Sequence, residues 1–130
     1  MSTIRAVLDT NVLVSALLSP FGTPAIIYRM FLTGMLNLVV SADIIEEYED
    51  VLHRSRLKIQ TVDADAVLSA IYQCAETVQP IRSTDALPDE DDRVFYDTAK
   101  TAGAYLITGN KKHFPQAQFV LSPAEFTAIK

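Results

Sequence analysis

Short apolar segments alternate with amphipathic helical patterns along this chain, and this alternation restricts its fold more than any other feature. Residues 4–8, 38–40, 105–107 and 119–121 are brief apolar runs followed by polar residues, as expected of short buried strands. Strands that alternate with helices form a parallel sheet with both faces covered. Such sheets bind ligands beyond the carboxyl ends of their strands, so functional side chains are expected there.

The helical patterns carry recognisable start and stop signals. Thr23 can cap one helix, and Gly34 lies just past its end. Ser41 can cap a second helix with an apolar stripe, and Ser122 opens a capping box with Glu125 for a short closing helix. We therefore expect each helix to present one apolar face to the sheet.

A third helical pattern runs from about Asp63 and carries Cys74 on its apolar stripe, together with Ala75 and Val78. Cys74 is therefore predicted to be a core residue. Because it is the only cysteine, no intrachain disulfide can form, and the composition suits a reducing compartment. We expect a cytoplasmic protein.

The length of 130 residues and the hydrophobic content of 49% fit one compact domain over residues 1–130. The sequence has no repeat, no low-complexity tract and no Gly/Ser linker. Pro20, Gly22 and Pro24 interrupt the charge-free stretch over residues 12–28, whereas a membrane helix needs about 20 continuous apolar residues. No membrane association is expected.

The net charge of −5 and the pI near 4.8 argue against a protein that coats nucleic acid nonspecifically, since backbone binding needs Lys and Arg to neutralise phosphates. Any nucleic-acid role must be local. Two small basic groups are present, one formed by His53, Arg54, Arg56 and Lys58, the other by residues 111–113. Both are expected to be solvated helix ends or loops.

Asp9 follows the first strand directly and has Thr10 and Asn11 as hydrogen-bonding neighbours. A carboxylate at the edge of the sheet is costly to bury without a cation. Phosphatases and receiver domains use the same position, but Asn11 stands where a haloacid-dehalogenase-type phosphatase needs a second Asp. A receiver domain would also need an acidic pair that is missing here.

Glu46 and Glu47 lie in the second helix, and the helical wheel separates them. At about 100° per residue, Glu46 points nearly opposite the apolar stripe, whereas Glu47 lies at its margin, within reach of the sheet edge. Glu47 is the better site candidate, although an amphipathic helix also carries plain surface glutamates.

Four acids, Asp89-Glu90-Asp91-Asp92, crowd the start of the fourth helix. A helix N-terminus favours negative charge, but four acids in succession repel one another unless a cation is near. Asp92 lies in the first turn at the flank of the apolar face and is the main candidate. Asp97 points outward on the same wheel and is expected to be solvated.

The segment after the third apolar run brings the chain back to the same sheet edge. Thr108 and Asn110 can hydrogen-bond a site there, while His113 could meet a phosphate or be an incidental loop residue. Three carboxylates from distant segments can thus converge without a histidine or cysteine cluster. Oxygen ligands alone suit Mg²⁺ or Mn²⁺ rather than zinc, and such ions promote phosphodiester hydrolysis. No P-loop, dinucleotide-binding glycines or Gly-x-Ser-x-Gly elbow offers another chemistry.

Taken together, these motifs resemble the ordered motifs of PIN domains over nearly the whole chain. The matching segments are Leu8-Asp9-Thr10-Asn11, Ser41 through Glu47-Tyr48, residues 89–99 with Asp92 seven positions before Ala99, and Thr108-Gly109-Asn110. The resemblance is greatest to the branch of toxin components of toxin–antitoxin systems, near the VapC-type toxins.

This resemblance implies a three-layer α/β/α sandwich with a mostly parallel central sheet, and an endoribonuclease that depends on Mg²⁺ or Mn²⁺. It implies that Asp9, Glu47 and Asp92 are the catalytic acids, with Asp9 and Asp92 holding metal and Glu47 helping to hold metal or orient water. The supporting polar positions match Thr10, Asn11 and Thr108. The family's toxins usually form homodimers and are silenced by an antitoxin whose tail occupies the cleft.

Asn110 departs from the pattern, because it occupies the fourth acidic position, where many relatives carry Asp. The amide keeps an oxygen acceptor but loses the charge that a second metal needs, and Asp97 or Asp89 are the acids available to compensate. Three functions therefore stay open: a ribonuclease toxin, a PIN-fold module that binds RNA or an antitoxin without cutting, and a small-molecule phosphatase. Residues 20–23 and 58–61 are expected to shape the cleft rim.

Overall fold

The computed structural model describes residues 3–129, and these form a five-stranded sheet covered by helices. The strands are β1 (Ile4–Leu8), β2 (Leu36–Val40), β3 (Glu76–Thr77), β4 (Tyr105–Ile107) and β5 (Val120–Leu121). Their order across the sheet is β3-β2-β1-β4-β5, and every neighbouring pair is parallel. The predicted α/β class and the parallel sheet are confirmed.

The α-helices of the described part are α1 (Thr10–Leu18), α2 (Thr23–Leu32), α3 (Ala42–Leu52), α4 (Thr61–Cys74), α5 (Arg93–Ala102) and α6 (Pro123–Ala128). Short 3₁₀ turns cover Ser55–Leu57, Glu90–Asp92 and Lys111–His113. Helix α2 contacts β2 and α6, whereas α5 contacts β1, β2, β4 and α3. The architecture is the three-layer α/β/α sandwich that the resemblance implied.

The central strands are apolar on both faces because helices cover both sides of the sheet. Ala6, Val7 and Leu8 of β1 are fully buried, as are Val39 and Val40 of β2. From β1 the chain builds outward to β2 and β3, and then crosses to β4 and β5 on the other side. The carboxyl ends of β1 and β4 therefore form the topological switch point, where open α/β sheets bind ligands.

Some predicted elements differ from the structure. Helix α1 was not predicted, and α4 begins at Thr61 and ends at Cys74. Ala75 already has extended backbone, and the two residues after it form β3. The prediction that Cys74 lies in the core is wrong, because its side chain is exposed in the last turn of α4. Periodicity alone could not show that the chain leaves the helix to extend the sheet.

Between residues 3 and 129, no single helix is long and apolar enough to cross a membrane. Helices α1 and α2 together have the length and composition, but the chain bends by 98° between them.

Candidate active site

A cleft of about 760 Å³ opens where β1 and β4 end, and the three predicted acids Asp9, Glu47 and Asp92 all line it. Each comes from a different part of the chain: the end of β1, the middle of α3 and the start of α5. The supporting side chains that also line it are Thr10, Asn11 and Asn110. The structure therefore brings these six predicted residues to one cleft, whereas Thr108, Asp97 and Asp89 do not line it.

Asp9 is held by the strand next to its own. Asp9 is only 8% exposed, and its Oδ2 accepts a 2.7 Å hydrogen bond from the hydroxyl of the fully buried Thr108. Asp9 is the N-cap residue of α1, but its side chain makes no capping hydrogen bond with that helix. The carboxylate lines the cleft instead. Burial raises the pKa of Asp9, and the Thr108 hydrogen bond partly offsets that rise.

Glu47 is half-buried and accepts a short hydrogen bond from the Thr10 hydroxyl. Helix α3 is fixed beside β1 by Tyr48, whose buried hydroxyl donates to the Leu8 carbonyl at 2.5 Å. At the other end of the helix, the Ser41 hydroxyl accepts from the backbone amide of Ile44 and caps the helix, as predicted. These contacts hold Glu47 next to the end of β1.

Asp92 ends the 3₁₀ turn that precedes α5. Within residues 3–129, its Oδ2 is buried and has no hydrogen-bond partner, while His113 Nδ1 lies 3.5 Å away. Burial raises the pKa of Asp92 to about 6, with the charges of Asp9 and Asp89 as further causes. The surrounding protein thus compensates the negative charge of this site only in part, through His113.

Asn110 and Asn11 are exposed at the mouth of the cleft. The backbone amide of Asn110 donates to Thr108 Oγ1 at 3.0 Å, so the Thr108 hydroxyl accepts from Asn110 while it donates to Asp9. This chain of hydrogen bonds ties the loop after β4 to the end of β1. His113 also lines the cleft, beside Asp92.

The three carboxylates face one cleft without touching each other. In the described part of the chain, no three acidic, histidine or cysteine side chains stand close enough together to form a metal site as positioned. Two observations favour cation binding: Asp9, Glu47 and Asp92 line one cleft, and the pKa values of Asp9 and Asp92 are raised.

The prediction that Asp97 is solvated is wrong. Its side chain is buried, with the Ser83 backbone amide donating to Oδ2 at 3.2 Å and Arg93 Nη1 at 3.7 Å. Asp97 thus belongs to a buried network rather than to the cleft. Asp89 is exposed, and it caps the 3₁₀ turn by accepting from the Asp91 amide at 2.9 Å.

The sequence matches a known protein family over most of its length. Residues 5–112 match the family model of the PIN domain. The chain belongs to the PIN domain family. PIN domains are generally metal-dependent nucleases that use divalent ions, which places this domain among the hydrolases at the level of the family.

This PIN domain is similar to an uncharacterized protein, MJ1680, of Methanocaldococcus jannaschii, with 28% identity over 83% of this chain and 72% of the relative. Its fold is similar to that of a chain in the crystal structure of VapBC2 from Rickettsia felis bound to a DNA fragment from their promoter. The TM-score is 0.60 at 16% identity, over 92% of this chain and 98% of the other. The second likeness shows a shared fold.

Sequence reasoning missed Arg93, which organises the segment before α5 of the PIN domain. Arg93 is buried, and its guanidinium donates to both Glu90 carboxylate oxygens, to the Ser83 carbonyl and hydroxyl, and to the Asp85 carbonyl. The i,i+4 spacing of Arg93 and Asp97 was a signal for this pairing. A helical wheel could not show this pairing, because the segment around Ser83 and Asp85 that buries both side chains is irregular and has no periodic pattern.

The prediction that residues 20–23 and 58–61 shape the rim of the cleft is not matched by the residues that line it. Pro20 and the segment from Lys58 to Gln60 line a separate depression between α1, α2 and α4. The active-site cleft extends instead to Arg54, Arg56 and Leu57, just beyond the end of α3.

Proposed function

We propose that this PIN domain is a metal-dependent endoribonuclease that hydrolyses RNA phosphodiester bonds, and that it is the toxin of a toxin–antitoxin module. The observation that supports this most is the buried Asp92 Oδ2, which lacks a hydrogen-bond partner in residues 3–129 and shares its cleft with Asp9 and Glu47. Burial and neighbouring negative charge raise the pKa of Asp92 to about 6. A bound cation would offset both costs.

The donor set fits Mg²⁺ or Mn²⁺, because it consists of carboxylate oxygens without sulfur. Asp9 and Asp92 would hold the ion, and Glu47 would help to hold it or to orient the attacking water. When bound, such an ion polarises a phosphodiester and makes water a better nucleophile near neutral pH.

The protein's own groups would prepare this chemistry by orienting the carboxylates. Thr108 donates to Asp9 Oδ2 at 2.7 Å, and Thr10 donates to Glu47 Oε2. Each bond fixes one oxygen of its carboxylate. Partners of this kind around metal ligands typically change metal affinity about 10- to 100-fold when they are removed.

The biological setting is proposed on the likeness to VapBC2. The match to the chain from that structure covers 92% of this PIN domain and 98% of the other chain. By analogy we propose a cytoplasmic protein that forms a homodimer and is bound by a cognate antitoxin. We propose RNA as the substrate because the sequence motifs resemble those of VapC-type toxins.

A second candidate function is a PIN-fold module that binds RNA or an antitoxin without cutting. Asn110 favours it, since this residue lines the cleft at the position that the resemblance to PIN domains assigns to a fourth acid. Asp97 lies in the buried Arg93 network, Asp89 caps the turn before Asp92, and neither of them lines the cleft.

The first experiment is a calorimetric Mn²⁺ titration of the wild-type protein, Asp92→Asn and Asn110→Asp. We expect binding by the wild type, loss of binding in Asp92→Asn and tighter binding in Asn110→Asp. The absence of wild-type binding would overturn the metal site and favour the binding module.

The second experiment measures cleavage of a labelled RNA pool with Mn²⁺ by the wild type, Asp9→Asn and Asp92→Asn. Cleavage that survives either substitution would contradict the mechanism. RNA binding without cleavage at any Mn²⁺ concentration would favour the binding module. Turnover of a generic phosphomonoester that Asp9→Asn abolishes would instead indicate a phosphatase.

A further inference from the structure

The fold divides the basic group at residues 53–58, which is continuous in sequence. His53 contacts Asp65 of α4 at 3.2 Å, and Lys58 lines the depression between α1, α2 and α4. Arg54 and Arg56 line the cleft that contains the three acids. The 3₁₀ turn Ser55–Leu57 and the left-handed backbone of Lys58, with φ of 56°, produce this division.

The two arginines differ in how they are paired. Arg54 Nη2 lies 2.8 Å from Asp50 Oδ2, an exposed ion pair of small energetic value that a competing anion can displace. The Arg56 guanidinium has no ion pair or hydrogen bond with the residues of the described chain, and its side chain is exposed. The cleft therefore contains an arginine that has no ion-pair partner among the described residues, although the chain as a whole is acidic.

Arg54 and Arg56 line the same cleft as the acids, beyond the C-terminal end of α3. Glu47 lies in the middle of α3, which ends at Leu52, and the arginines follow that end. At a rise of about 1.5 Å per residue, the five residues from Glu47 to Leu52 span roughly 7.5 Å, and the arginines lie beyond that end of the helix. A nucleic-acid strand with one phosphate at the acids would place a neighbouring phosphate near the arginines.

We infer that Arg56, assisted by Arg54, binds the RNA backbone at a phosphate that flanks the bond to be cut. This inference rests on the proposed ribonuclease function. A guanidinium suits the task because its planar donors bind phosphate in bidentate fashion. The two arginines would give a protein of net charge −5 a local site for the RNA backbone beyond the acids of α3.

The test measures RNA binding without metal and without cleavage. A fluorescein-labelled, single-stranded 2′-O-methyl RNA of mixed sequence is titrated in EDTA at several salt concentrations, and its anisotropy is followed. Arg56→Ala should weaken binding about 5- to 10-fold at low salt. Loss of one phosphate contact should also lower the slope of log K against log salt by about 0.7.

Lys58→Ala is the matched control. It also removes one positive charge, only two positions along the chain, but Lys58 lines the depression between α1, α2 and α4 instead of the cleft. It should bind RNA within about twofold of the wild type. The inference is overturned if the wild type does not bind this RNA, if Arg56→Ala binds as the wild type does, or if both variants weaken equally. Circular dichroism confirms that the exposed substitutions leave the fold intact.

Failure of this inference and failure of the proposed function give different results. If cleavage and Mn²⁺ binding occur but Arg56→Ala leaves RNA binding and its salt slope unchanged, the arginine site alone is wrong. If cleavage is absent but binding depends on Arg56, the phosphate site stands and the domain is the binding module.

Discussion

Thr108 Oγ1 donates a 2.7 Å hydrogen bond to Asp9 Oδ2, and this bond joins residues 99 positions apart at the ends of neighbouring strands. Asp9 N also donates to the Ile107 carbonyl at 3.0 Å, which continues the pairing of β1 with β4. The orientation of the first acid thus depends on the far end of the chain.

Thr108→Val should therefore weaken the site while preserving side-chain shape. Losing a hydrogen bond to a carboxylate should lower the free energy of unfolding by about 1–3 kcal/mol and weaken Mn²⁺ binding roughly tenfold. Urea denaturation and calorimetry measure the two effects. Thr108→Ser, which keeps the hydroxyl, should lose much less affinity, and equal Mn²⁺ affinity in Thr108→Val and the wild type would contradict the proposed role of the bond.

The raised pKa of Asp92 predicts a pH dependence in EDTA. The pKa of this carboxyl rises from its ordinary value of 3.8 to about 6 in the folded protein, which therefore binds more protons between these values than the unfolded chain does. The free energy of unfolding should fall as pH rises from about 4 to about 6. Two pKa units correspond to about 3 kcal/mol, and solvent screening at this partly exposed group reduces the effect to about 1–2 kcal/mol.

Asp92→Asn should remove that contribution and be more stable than the metal-free wild type at pH 7. Comparing the two proteins in urea at pH 4, 5, 6 and 7 isolates Asp92 from the other carboxyl groups. A stability difference that does not change across this range would show that Asp92 titrates normally.

Arg93→Met should destabilise the protein, because it leaves the buried Asp97 without its cation and releases the contacts to Ser83, Asp85 and Glu90. The loss should be about 2–4 kcal/mol. Arg82→Ala is the control: this exposed arginine donates to the same Glu90, and its loss should cost less than about 0.5 kcal/mol. Thermal melts that shift equally in the two variants would argue against the Arg93 network.

Tyr48→Phe tests how α3 is attached beside Asp9. The substitution removes a buried hydrogen bond to the Leu8 carbonyl, and about 1–2 kcal/mol of stability should be lost. Tyr72→Phe removes a comparable bond to Glu49 on the surface and should have little effect. If the two variants have the same denaturation midpoint, the Tyr48 hydroxyl does not anchor the helix.

The choice between Glu46 and Glu47 shows what a helical wheel can and cannot predict. The structure places Glu47 half-buried against Thr10, as the wheel predicted, and Glu46 exposed. Glu46 still lines the outer part of the cleft, however, because the cleft is wide and runs along the solvent side of α3. Periodicity predicts which side of a helix is apolar, but not which other element faces its polar side.

The sequence by itself determined the parallel α/β fold and the set of acids, because short apolar strands, helix caps and polar residues at strand ends are local signals. It predicted Asp9, Glu47 and Asp92 as one set, and the structure brings them to one cleft. Only the tertiary structure decided that Asp97 is buried with Arg93, that Cys74 is exposed, and that Arg54 and Arg56 face the acids while Lys58 does not. These outcomes depend on how irregular segments pack against distant parts of the chain, and such contacts leave no periodic pattern in the sequence.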